Sequence, residues 1–140
     1  MRQSSNKLSL NLFYRLPVIA LSVFIYLQSS YPGMISEPLF AYDDKVFHFW
    51  VYAILAILAA RNLTVEKPLW SPAKIKTIAI LFACLYGMSD EIHQAFVPER
   101  DASAWDLFAD CAGSIAGCLF YMNFIYKKPH YLNKQMNIKN

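Results

Sequence analysis

Apolar residues gather into four stretches along the chain, and the polar residues between and beyond them form five pieces. The first stretch covers residues 12–28. The second and third have uninterrupted apolar cores over 49–60 and 78–88, and the fourth covers 106–126. A helix needs about 20 residues to cross the hydrocarbon of a bilayer. The pattern therefore predicts an all-α protein, an integral membrane four-helix bundle built from residues 1–126 and followed by a polar tail over 127–140. The second and third cores are too short to cross alone. Helix two must extend back over Asp44, Lys45 and His48, and helix three forward over Asp90, Glu91 and Gln94.

Charge gives the bundle a direction. The first, third and fifth polar pieces hold eleven of the thirteen basic residues and a single acid, Glu66; the second and fourth hold the other nine acids with only Lys45 and Arg100. Lys and Arg accumulate on the cytoplasmic side of membrane proteins. Four crossings with both termini cytoplasmic are thus expected, with every plausible reactive group on the outer face.

Composition narrows the class. Hydrophobic residues make up 56% of the chain and glycines number four, which excludes disordered and collagen-like chains. The net charge of +3 does not point to nucleic acid, because the bases are spread over three separated pieces with no aromatic platform among them. Cys84, Cys111 and Cys118 lie inside apolar stretches without metal-ligand spacing and are read as small hydrophobes. The first apolar run lacks a small-residue cleavage pattern, so it is expected to be a retained span, with Pro17 near its helical start and Arg15 snorkelling to the headgroups. The Lys- and Asn-rich tail is expected to be disordered.

Hydrocarbon cannot hydrate an ionised side chain, and burying one at mid-span costs about 2.5 to 3.5 kcal/mol. Such groups are expected to face the bundle interior. At 100° per residue, Asp106, Asp110, Gly113 and Gly117 share an arc of about 60° on helix four. The two glycines form a small-xxx-small pair that lets another helix approach. Asp44 stacks over His48, and Asp90 over Gln94, with Glu91 a quarter turn round; His93 points away from Gln94 and is left outside the site. The loop between helices three and four adds Arg100 and Ser103.

Singly, these residues have ordinary explanations: Asp44 and Asp106 as helix caps, Lys45 as a snorkelling cation, Arg100 as a staple for its loop. A cap, however, requires neither a histidine one turn inside helix two nor a carboxylate one turn inside helix four. Two chemistries stay open. In one, a divalent metal sits among His48 and the carboxylates. In the other, His48 takes a proton while Asp44 or a helix-three carboxylate holds its tautomer, and Arg100 clamps a phosphate bidentately.

Three ordered motifs carry a resemblance: Asp44-Lys45-x-x-His48; Tyr86-Gly87-x-x-Asp90-Glu91-x-x-Gln94-x-Phe96-x-Pro98-x-Arg100; and Trp105-Asp106-x-x-x-Asp110-x-x-Gly113-x-x-x-Gly117. Over residues 40–120 the chain resembles the VanZ-like family of small bacterial membrane proteins, named for a factor associated with teicoplanin resistance. Two positions depart from the pattern: Glu99 stands where a V-P-G-R turn has glycine, and Asp110 where many members carry Asn. The resemblance implies a grouping with helical membrane proteins that act on lipid headgroups, phosphatidylserine synthases among them.

The expected function is binding, with hydrolysis or transfer, of the phosphate-bearing headgroup of an envelope lipid. Asp44, His48, Asp90, Glu91, Gln94, Asp106 and Asp110 would carry the chemistry, and Lys45, Arg100 and Ser103 the binding. The alternative is a non-enzymatic envelope protein that binds lipid or glycopeptide, or docks a protein partner. A proton pathway ranks last, since the inner halves of helices two to four offer almost no polar groups.

Overall fold

The structure, a computed structural model, describes residues 2–31 and 42–127, with side chains described from Leu12 onward. Its regular structure is all helical: α1 (Arg2–Ser30), α2 (Asp43–Glu66), α3 (Pro72–Gln94) and α4 (Ala104–Phe120), the last continuing as a π-helical turn over Tyr121–Ile125. Local chemistry sets the boundaries. Ser71 caps α3 by accepting from the Lys74 amide at 3.2 Å, and Pro72 follows in the first turn, where its missing N–H goes unneeded. Ser103 caps α4 through the Trp105 amide at 3.2 Å. Asp43 and Asp44 occupy the first turn of α2, where the helix dipole favours negative charge.

Three helices are long and apolar enough to cross a membrane: Leu12–Ser30 of α1, Asp43–Glu66, and Ala104–Ile125 of α4 with its π turn. With 23 residues, α3 has the length. Its apolar run is bracketed by Lys74 and Lys76 at one end and by Asp90, Glu91 and Gln94 at the other. Large apolar side chains face outward along the bundle, among them Trp50, Phe82, Leu85, Phe108 and Phe124, as in a protein whose solvent is lipid.

Side-chain pairs give the helix directions. Lys45 meets Asp106, His48 meets Asp110 and Thr64 meets Tyr121, so α2 and α4 run the same way. Glu91 lies by His48, whereas the Lys76 carbonyl lies by Cys118, so α3 runs opposite to both. Along α3, the Tyr86 hydroxyl donates to the Ser22 carbonyl at 2.5 Å and Ser29 bonds Asp90, while Arg15 pairs with Glu66 at the far end of α2. The chain thus folds up, down, up, down.

Small residues make this tight. Leu55, Ala56, Ala60, Ala79 and Ala83 are fully buried at the centre. A Cβ at Gly113 would run into the Phe49 carbonyl, and one at Gly117 into the Ala53 carbonyl, so α2 and α4 touch backbone to backbone.

One local expectation changes and two gain detail. Pro17 lies inside α1, not at its start, because the helix begins at Arg2; the pyrrolidine removes the amide that would bond the Phe13 carbonyl. Arg15 is ion-paired with Glu66, so it binds protein as well as reaching outward. Glu99 adopts φ 63°, the left-handed region, in a turn closed by the Arg100 amide on the Val97 carbonyl at 3.2 Å. Proline second and a positive φ third is the pattern of a type II turn, which favours glycine at Glu99's place. The cysteines are free, Cys118 buried and the others half-buried. The tail expected to be disordered lies outside the described residues beyond Lys127.

Candidate functional site

The bundle has a basic end and an acidic end. At the basic end, the Arg61 guanidinium sits 4.4 Å from the Tyr14 ring centroid, near the Arg15–Glu66 pair. The acidic end, about 27 Å away along α2 from Glu66 to His48, gathers the titratable groups of α2, α3 and α4.

His48 is at its centre. Its Nδ1 lies 2.9 Å from Oδ1 of the fully buried Asp110 and 4.0 Å from Oε1 of Glu91. The same contact that brings Gly113 against Phe49 lets this pair form, because His48 and Asp110 sit one turn or less along their helices from those residues. Asp110 of α4 thus sits against Nδ1, where Asp44 or a helix-three carboxylate was expected. Asp44 is exposed and accepts from Lys45 Nζ at 2.7 Å; the same Nζ donates to Asp106 at 3.0 Å, joining the starts of α2 and α4.

Asp90 and Gln94 face α1. Gln94 Nε2 donates to Asp90 at 3.1 Å and to Ser29 Oγ at 3.3 Å, and the Ser29 hydroxyl donates to the other Asp90 oxygen. His93 turns aside, 3.0 Å from Ser30 Oγ and stacked on Tyr26. Arg100 donates to the Gln28 carbonyl near the end of α1, where a cation suits the dipole, and its Nε is buried without a partner. Ser103 spends its hydroxyl on the α4 cap, while its amide donates to Glu91 Oε2 at 2.8 Å.

Of the ten residues singled out from the sequence, His48, Asp90, Glu91 and Asp110 form one cluster, with Lys45, Asp106 and Asp44 beside it and Gln94 behind Asp90. Arg100 and Ser103 brace the loop against α1 and α3. Three contributors were not anticipated. Tyr52 lies one turn below His48, stacked on it at 6.3 Å, with its hydroxyl buried and unpartnered. Ser29 satisfies Asp90. Gly87 makes room for Asp110, whose Oδ2 would lie 2.6 Å from a Cβ placed there. The i, i+4 spacing of His48 and Tyr52 was a usable signal; for Ser29 there was none, since its partner is on another helix.

Polar bookkeeping leaves a remainder. Oε1 of Glu91, Oδ2 of Asp110 and the Tyr52 hydroxyl are buried with no hydrogen-bond partner. Buried polar atoms are normally satisfied, so this concentration sets the acidic end apart from the rest of the described bundle. One ligand atom each from His48, Asp90 and Glu91 lies within 4.8 Å of the others, which is within reach of a shared cation.

A family model described as VanZ/LLP1 matches residues 2–126. The chain belongs to the VanZ/LLP1 family. No curated protein and no solved structure matches it. The VanZ/LLP1 match takes in all four helices, so the acidic cluster and the glycine seam beneath it both fall inside the family region.

Proposed function

We propose that the acidic end of this VanZ/LLP1 protein is an outer-leaflet pocket of the bacterial inner membrane, with both termini cytoplasmic, and that it binds the phosphate-bearing headgroup of an envelope lipid and acts on its phosphoester. The observation that carries this reading is the His48–Asp110 pair at 2.9 Å, its imidazole half-buried and its carboxylate fully buried one to two turns inside membrane helices. Intramembrane ionisable groups are costly and mark functional sites.

Asp110 accepts from Nδ1–H and thereby leaves Nε2 with the lone pair, the arrangement of a general base held by a carboxylate. His48 takes the proton of the attacking hydroxyl as the new P–O bond forms, and returns it to the leaving alcohol as the old one breaks. Lys45 supplies positive charge for the phosphate, and Arg100 a donor, Nε, that no described protein group uses. The Tyr52 hydroxyl is a further donor next to His48.

Reconstitute the full chain in liposomes of envelope phospholipid and follow headgroup release by mass spectrometry, for wild type and His48→Ala. Release by wild type and its loss in the variant support the reading. Equal release from both removes His48 from the chemistry, and the binding-only alternative is then tested by lipids that co-purify.

A further inference from the structure

We propose that His48, Asp90 and Glu91, backed by Asp110, hold a divalent cation. The inference deepens the lipid reading, on which its biological purpose rests, and changes one role in it: the imidazole lone pair goes to the cation instead of to a proton.

Geometry comes first. The three residues converge from two helices, α2 and α3, with a ligand atom each inside 4.8 Å. Coordination bonds of about 2.0 to 2.2 Å place two donors on one ion no more than about 4.4 Å apart, so the three atoms share a cation once any wider pair closes by a few tenths of an ångström. The donors are pre-aimed. Asp90 is oriented by Ser29 and Gln94, Glu91 by the Ser103 amide through Oε2, and His48 by Asp110. Metal-ligating histidines characteristically give their other ring N–H to a carboxylate, and ligating carboxylates are themselves hydrogen-bonded.

The charge balance points the same way. Asp90, Glu91 and Asp110 are 6%, 7% and 0% exposed. The nearby amine, Lys45 Nζ, is engaged by Asp44 and Asp106, and Arg100 turns to the Gln28 carbonyl. Buried carboxylates at close quarters need positive charge or protons. Protonating Glu91 on Oε1 would create a buried O–H, yet that atom has no hydrogen-bond partner to receive it. A cation satisfies Oε1 directly, and it gives the unpartnered Asp110 Oδ2 a favourable field. One imidazole with several carboxylates suits Mn²⁺ or Zn²⁺ better than Ca²⁺, which prefers an all-oxygen shell.

Strip the full chain with EDTA in detergent micelles and titrate it with Mn²⁺, reading free Mn²⁺ by electron paramagnetic resonance, with Zn²⁺ as competitor. One site per chain is expected, displaced by Zn²⁺ and weakened about tenfold or more in Glu91→Gln and in Asp90→Asn, with the exposed-loop change Asp101→Asn matching wild type. Helical circular dichroism selects folded variants, and His48→Gln substitutes for any that unfolds. Folded wild type that takes up neither ion at millimolar concentration overturns the proposal, as does unchanged affinity in the folded ligand variants. Headgroup release by the stripped protein separates the two readings: release without metal uptake leaves the lipid reading standing and removes the cation, whereas metal uptake with no release in any metal state leaves the site and removes the lipid reaction.

Discussion

His48 Nδ1 and Asp110 Oδ1, sixty-two positions apart in the chain, lie 2.9 Å from each other across the α2–α4 seam. An uncharged isostere preserves the acceptor and a truncation does not. Asp110→Asn, the residue that the family resemblance anticipates, should cost less than about 1 kcal/mol, whereas Asp110→Ala strands the imidazole N–H and opens a cavity for about 2 to 3 kcal/mol. Thermal unfolding of both variants in micelles measures the difference.

The seam itself admits no side chain. Gly113→Ala sets a methyl group against the Phe49 carbonyl, and neither backbone can yield without moving a helix. A loss of about 1 to 3 kcal/mol is expected, together with reduced headgroup release, since separating α2 from α4 lengthens the His48–Asp110 contact. Alanine at the neighbouring Ala112, which needs no change, is already tolerated on the half-buried face.

Lys45 and Asp44 should behave differently although they touch. Asp44 is 55% exposed, and Asp44→Asn is expected to alter stability by under about 1 kcal/mol. Lys45→Met strands Asp106, whose side chain is 10% exposed, and should cost more, about 1 to 3 kcal/mol. A double-mutant cycle on Lys45 and Asp106 reads the coupling.

Tyr52→Phe removes a buried hydroxyl that has no partner. The lipid-free protein should gain up to about 1 kcal/mol, and headgroup binding should weaken. A site residue kept for function shows this opposition between melting temperature and affinity; one kept for structure loses both together.

Glu99→Gly should stabilise the chain by about 0.5 to 1 kcal/mol, since only glycine takes a φ of 63° without steric cost and its greater unfolded freedom offsets part of the relief. An unchanged or lowered melting temperature would show that the turn relaxes around the acid.

Hydropathy and charge were sufficient to find the helices and the acidic end, because both are sums over many residues. Helical periodicity also put Asp106 and Asp110 on the glycine face. It could not choose partners. Asp44 and Asp110 are equally available to His48 on a helical wheel, and the choice depends on how closely the glycines bring α4 to α2. Arg100 reads as a phosphate clamp, and nothing in the sequence shows that the Gln28 carbonyl at the end of α1 takes one of its donors while Nε stays unpaired. Pro17 looked like a helix start because the apolar run begins nearby, whereas the helix begins well before the apolar residues do.

Since α2 and α4 run in the same direction, they cannot form as a hairpin, and α3 must be threaded back before α4 can arrive. During synthesis, His48 is made well before Asp110, and Lys45, already beside Asp44, well before Asp106. Until α4 docks, His48 lacks its Nδ1 partner and Lys45 has Asp44 alone, so the contacts between α2 and α4 are the last of the acidic end to form.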